Sequence, residues 1–195
     1  MFSETEMARN YTLKRRADQQ AETRQRIVDA AVELHGTVGP ARTSLSMVAE
    51  KAGVQRNTLY AHFPDERSLL MACSGESLER DPPPDAEAWR GVPGPERLQT
   101  ALSDVYGWFG GNAQLLGCVL RDAEHYAPVQ EVSALRYGPY IGAWHEVLGE
   151  GLSPTQQALL HLALSFHTWR ALVAEAGLPD AAAVDAMVDA IAGAG

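Results

Sequence analysis

Isoleucine is scarce in this chain of 195 residues, with three Ile and 14 Val against 30 Ala and 21 Leu. Strands draw on β-branched residues and helices on Ala and Leu, so the bias argues against a large sheet and for an all-α fold. Cysteine is scarce too: Cys73 and Cys118 share no CxxC spacing. That excludes a disulfide scaffold and points to a reducing compartment. No apolar run approaches the ~18 residues of a membrane span, because the richest one, 158–174, is interrupted by His161, His167 and Arg170. The opening MFSETEMARN has no apolar signal-peptide core. These absences lead us to expect a soluble, cytoplasmic protein with no membrane association. Basic charge is also in deficit, with 16 Lys/Arg against 25 Asp/Glu, net −9.

The deficit is uneven. Residues 1–64 carry nine Lys/Arg and seven Asp/Glu, net +2, and residues 65–195 carry seven and eighteen, net −11. Such asymmetry suggests two roles in one chain. Hydrophobic content of 46% supports a real core.

Residues 1–20 are polar, contain the Lys14-Arg15-Arg16 cluster and show no apolar period. They read as a flexible basic arm. From Ala21 the spacing is helical, with Ile27, Ala31, Leu34 and Val38 on one stripe. Thr43 or Ser44 can cap a second helix carrying Leu45, Val48, Ala49 and Ala52. Gly53 suits a left-handed turn, a short third helix runs from about Val54 to His62, and Asp65 caps a fourth that reaches about Arg80. Residues 21–80 thus form one domain. The run Asp81-Pro82-Pro83-Pro84-Asp85, followed by Pro93 and Pro95, predicts a linker over 81–95. Residues 96–195 predict a second helical domain, with helices near 95–109, 112–126, 128–150, 154–176 and 180–192.

Residues 42–64, RTSLSMVAEKAGVQRNTLYAHFP, have the layout of a helix-turn-helix. Gln55, Arg56, Asn57, Thr58, Tyr60 and His62 are left on the outer face of its second helix, where donors and acceptors can meet base edges and phosphates. Arg can pair with guanine at two atoms and Gln or Asn with adenine, so Gln55 and Arg56 are expected to discriminate bases while Tyr60 and His62 position the protein.

This segment resembles the N-terminal domain of the TetR family of bacterial one-component transcription regulators. The matching residues are Val48-Ala49, Ala52-Gly53-Val54, Thr58-Leu59-Tyr60 and His62-Phe63-Pro64, flanked by the helix before and the Leu69-Leu70 helix after. The resemblance covers residues 20–80. It implies a homodimer on double-stranded DNA with the third helix of each subunit in a major groove, repression of transcription, and a small-molecule pocket in a helical C-terminal domain. It also implies phosphate contacts from Tyr60 and His62 and a backbone contact from Thr58. Thr43 and Ser44, at the start of the second helix, are expected at phosphate as well. Gln55, Asn57 and Ala61 depart from the family's usual residues. Glu66 stands where it often has a basic one, which implies one phosphate contact fewer.

The second half concentrates rings, and Trp108, Tyr126, Tyr140, Trp144 and Phe166 are expected to line a pocket for a small apolar ligand. The other reading of these residues is ordinary core, which would make the chain a DNA-binding dimer without a ligand. Leu160 on helix 154–176 and Val184, Met187, Val188 and Ile191 on the last helix are expected at the dimer interface. No cofactor, metal site or catalytic residue is expected. There is no HExxH, no Cys/His cluster and no GxSxG, and Asp122, Glu124 and His125 read as a solvated face. The expected function is a ligand-responsive repressor on a palindromic operator, and not an enzyme.

Overall fold

The computed structural model describes residues 4–195, with side chains described at Tyr11 and from Leu13 onward. Its elements are helical throughout, and no strand occurs among the described residues.

The first helix, α1, spans Glu4–Thr37. It takes in most of what the sequence suggested was a flexible arm; the arm's first three residues lie outside the described ones. The reason is local: residues 4–35 contain no Pro or Gly and are rich in Ala, Glu, Gln and Arg, which favour helix even where no face is buried. The arm's lack of an apolar period was a sign of exposure, and its described side chains up to Glu22 are all exposed.

A 3-10 turn at Pro40–Arg42 leads into α2, Leu45–Lys51, and α3, Arg56–His62. The fourth helix, α4, Glu66–Arg80, opens with a capping box in which Asp65 accepts from the Ser68 N–H. Ile27, Ala31, Val48, Leu59 and Phe63 close a small core among these helices, completed by Leu69 and Cys73 from α4.

The Pro run that follows is non-helical, but it is not a spacer. The short helix α5, Glu87–Arg90, places Trp89 at 1% exposure in the core of the second domain. The Trp89 indole N–H donates to Asp104 at 2.8 Å, and the Trp144 indole N–H donates to the Pro84 carbonyl at 2.8 Å. The segment 81–95 is a strap laced to the body by indole donors that burial would otherwise leave unpaired.

The body comprises α6, Gly94–Gly111, α7, Ala113–Ala123, and α8, Ala127–Leu148. After a capped start at Ser153 comes α9, Pro154–Ala163. The expected helix 154–176 is broken at Leu164-Ser165. Ser165 accepts from the His167 N–H and starts a new single turn, α10, Phe166–Trp169, followed by a π-helical stretch over Arg170–Glu175. The break lets Phe166 and Trp169 both enter the core. The chain closes with α11, Asp180–Ala192.

The two cores meet along α1 with α7 and α4 with α8. Leu70, Val129 and Val132 form a third, smaller cluster there. Asp122 locks the corner: its carboxylate accepts from the Ala41 N–H at 2.9 Å and from Arg121 at 2.8 Å, and Arg121 also donates to the Val38 carbonyl. Burial works against the Asp122 charge, but the guanidinium and the backbone N–H outweigh it and hold its pKa below the ordinary carboxylate value. Asp122 is therefore a buried structural anchor and not part of a solvated face.

Candidate nucleic-acid interface and ligand cavity

Backbone chemistry sets the angle between α2 and α3. Ser44 caps α2 by accepting from the Met47 N–H at 3.2 Å. Gly53, at φ 64, makes the left-handed turn that other residues resist. Leu59, fully buried, then faces inward from α3, and Phe63 closes its end. The Arg24 guanidinium lies 5.0 Å over the Phe63 ring, which ties α1 to the end of the reading helix.

With that side pinned, Gln55, Arg56, Asn57, Tyr60 and Ala61 stand exposed, and Thr58 and His62 are half-buried. Gln55 is the N-cap of α3, but its side chain makes no capping bond, so its amide is free. Arg56 is turned back across the motif and donates to the Ser46 hydroxyl. The structure separates the two residues expected at phosphate. Ser44 is exposed, whereas Thr43 is buried and its hydroxyl donates to the Gly39 carbonyl at 2.7 Å. Thr43 is a corner bolt and has no hydroxyl to offer DNA. Ser46 and Arg24 were not singled out from the sequence, because each acts through a contact that only the folded corner creates.

In the body, a cavity of about 350 Å³ opens among α6, α7, α8 and the α9–α10 break. Trp108, Tyr140, Trp144 and Phe166 line it as expected. Tyr126 does not: it lies in the junction between the two cores, where its hydroxyl donates to Glu66 at 2.6 Å. Glu66, which stands where a phosphate-binding base is common, is thus a hydrogen-bond acceptor for the body. The rings of Trp108 and Trp144 meet at 6.3 Å and 76°, and those of Phe109 and Phe166 at 5.5 Å and 85°. The Trp108 N–H donates to the Asp81 carbonyl, so with Trp144 held on Pro84 both indole donors are spent on the strap. What remains toward the cavity is apolar ring surface. Of the polar anchors that the sequence offered for this pocket, His125, His145 and Arg121, only His145 lines the cavity, and it is joined by His161 and His167, which the sequence did not suggest. His145 and His161 stack at 5.3 Å and 24°. Burial, and after it the neighbouring His161, lower the His145 pKa. The helix break hid the grouping, since an unbroken helix would send His161 and His167 to different faces. Among the described residues, no group of three or more His, Cys, Asp or Glu is placed to hold a metal ion.

Three of the expected interface residues need correcting, while Met187 and Val188 are half-buried. Leu160, Val184 and Ile191 are at most 2% exposed within their own chain, and Met187 and Val188 pack against the same core. The apolar stripe of α11 faces its own domain because α6 and α9 cover it. The outward side of these helices instead presents Leu162, at 49% exposure, with Ala158, Ala182, Ala186 and Ala190.

A helix-turn-helix standing clear of an all-helical body that encloses its own apolar cavity defines a class, the DNA-binding transcription regulators. Residues 27–73 match the sequence model described as bacterial regulatory proteins, tetR family, and this segment of the chain belongs to that family. It is 36% identical over 85 residues to the HTH-type transcriptional regulator SrpR of Pseudomonas putida, a match covering 40% of each chain. The chain thus matches less than half the length of this relative. The structure of a TetR-like transcriptional regulator from Rhodococcus sp. RHA1 has a TM-score of 0.59 at 26% identity, covering 87% of this chain and 93% of that one. The fold is also that of the transcriptional regulator FadR from Bacillus subtilis in complex with stearoyl-CoA. There the TM-score is 0.60 at 18% identity, and 86% of this chain and 96% of that one are covered.

Proposed function

We propose that this regulator is a ligand-responsive repressor that binds a palindromic operator as a homodimer. The observation that carries the reading is the connection between the exposed reading face and the cavity. Beyond Tyr126–Glu66, α4 is tied to α8 by Arg67–Glu131 at 2.7 Å and by Arg136, which donates to the Met71 carbonyl at 2.8 Å. Tyr137 of α8 lines both the ligand cavity and a void of about 40 Å³ beneath α4, where His35 and Cys73 also sit. A ligand that shifts α8 therefore shifts α4 and the reading helix beside it.

The mechanism is population shift. A ligand that binds better to the dimer with its heads apart weakens operator binding, and operator weakens ligand binding by the same factor. A coupling of ~1–3 kcal/mol changes affinity about 5–150-fold. The outward side of α9 and α11 would join the subunits, with recognition helices spaced about 34–36 Å apart on successive turns of DNA. The cavity favours this reading over a dimer whose body is filled by its own side chains. The Bacillus subtilis protein of the same fold is in complex with stearoyl-CoA, a ligand with a long apolar chain, which supports the ligand-sensing reading.

The test begins with DNA selected from a random pool by the purified protein. Expected are sequences with two inverted half-sites, whose binding is lost when a ligand found by tryptophan fluorescence is added. Selection of no common sequence, or ligands that bind equally well with and without operator, would overturn the proposal.

A further inference from the structure

The cavity is chemically lopsided. No Asp, Glu, Lys or Arg lines it among the described residues, although it lies in the half of the chain with net charge −11. Its ionisable lining consists of Tyr137, Tyr140 and the three histidines. The walls from α6 and α7 are apolar and aromatic. The polar groups come from α8, from His161 on α9 and from the α9–α10 break, where Ser165 and His167 flank Phe166.

Each wall selects a different part of a ligand. Rings set at 76° and 85° to one another present faces and edges together, which holds a flat ring by offset and edge contacts. The volume lies at the small end of the ~300–1,000 Å³ usual for ligand sites, which suits a compact ring system better than a long chain. At the other wall, an imidazole N–H is a donor in either protonation state. His161 and His167 are exposed and His145 is half-buried, so the donors stand where the cavity meets solvent.

The electrostatic setting has a definite sign. Burial, and after it His161, lowers the His145 pKa, and no carboxylate stands beside it in the cavity lining. On its other side His145 lines a hollow outside the cavity together with Arg90, Glu146 and Glu150, where Glu146 is paired with Arg90 at 3.1 Å. An anionic oxygen at the His145–His161 pair would meet donors with no carboxylate in the lining to repel it. A cation there would find ring faces, but no counter-charge and imidazoles that gain charge on protonation.

Resting on the ligand-sensing reading above, we propose that the cavity takes a compact aromatic carboxylic acid, with its rings among Trp108, Trp144 and Phe166 and its carboxylate on His145 and His161, with His167 beside them.

Three probes of one shape and different heads test this by titration calorimetry on the intact protein at pH 7: 2-naphthoate, 2-naphthamide and 2-naphthylmethylammonium. The acid is expected to bind about tenfold or more tighter than either of the others, as for a hydrogen bond to a charged group. In the double variant His145→Gln, His161→Gln that preference should vanish while amide affinity holds within about twofold. If the amide or ammonium binds as tightly as the acid, the acid assignment is wrong and the cavity remains a ligand site. The same conclusion follows if the double variant keeps the acid preference. If none of the three binds, the ligand-sensing reading of this cavity falls with it.

Discussion

The hydroxyl of Tyr126, the residue that precedes α8, donates to the carboxylate of Glu66, the first residue of α4, at 2.6 Å. The bond, first among its causes, pushes the Tyr126 pKa up to about 12, so the phenol remains the donor at any physiological pH. The start of α4, the helix that follows the reading helix, is thereby fastened to the element that lines the cavity. Tyr126→Phe should remove the bond and leave the ring's packing in place. We expect a stability loss of about 1–2 kcal/mol in urea unfolding. We also expect a smaller ligand-induced drop in operator affinity, with ligand affinity itself little changed. Induction of the same size as in the parent protein would remove Tyr126 from the coupling.

Operator reading should divide between two side chains of α3. Arg56→Ala should cost about 1–3 kcal/mol on the selected operator and relax base preference at one position per half-site. Tyr60→Phe should weaken all sequences alike, as loss of a phosphate contact does. Competition binding against single-base variants of the operator distinguishes the two. An Arg56→Ala protein with undiminished preference would assign reading elsewhere, Gln55 being the free neighbour.

Subunit association can be tested with a pair of substitutions that burial sets apart. Leu162 is 49% exposed, so Leu162→Glu should leave each chain folded yet yield monomers that no longer hold the palindrome. Ile191 is 2% exposed, so Ile191→Ala should cost about 2–5 kcal/mol of stability through a cavity in the subunit core. Light scattering and urea unfolding on both proteins decide this. A Leu162→Glu protein that remains dimeric places the interface on another face.

Acid should weaken the junction through His35. This imidazole is 6% exposed, its Nδ1 lies 3.4 Å from the Cys73 thiol, and burial lowers its pKa to about 4 despite the nearby Asp122. The unfolded chain takes up a proton near 6.5 and the folded one only near 4, so between these values the unfolded state binds more protons. Stability from this group is therefore complete above about pH 6.5 and is lost as the pH falls toward 4. Between pH 7.5 and 5 the loss should be about 2 kcal/mol. A urea series across that range is expected to slope less in His35→Gln than in the parent. Equal slopes would show that His35 is not the group responsible.

Much of this protein was determined by the sequence alone. The paucity of Ile, the stripes of Ile27 and Val48, the Ser44 cap and the turn at Gly53 are local signals, because helix, cap and turn are decided within a few residues of backbone. They sufficed for an all-helical chain with a short helix from about Val54 to His62, found at Arg56–His62; the rings Trp108, Tyr140, Trp144 and Phe166 read as core or as pocket, and they serve as both. Tertiary structure alone decided which apolar faces are spent at home. Val184 and Ile191 have the spacing of an interface, but periodicity says only that a face is buried and never against what, and here α6 and α9 supply the partner. It also decided that Thr43 bonds Gly39, that Tyr126 binds Glu66 and leaves the cavity, and that the Pro run is strapped down by Trp89. Each of those is a contact between residues distant in the chain or turned toward each other at a corner. His161 and His167 joined His145 for the same reason: Ser165 broke a helix that spacing had drawn as continuous, because its hydroxyl could cap the next turn while Phe166 and Trp169 gained the core.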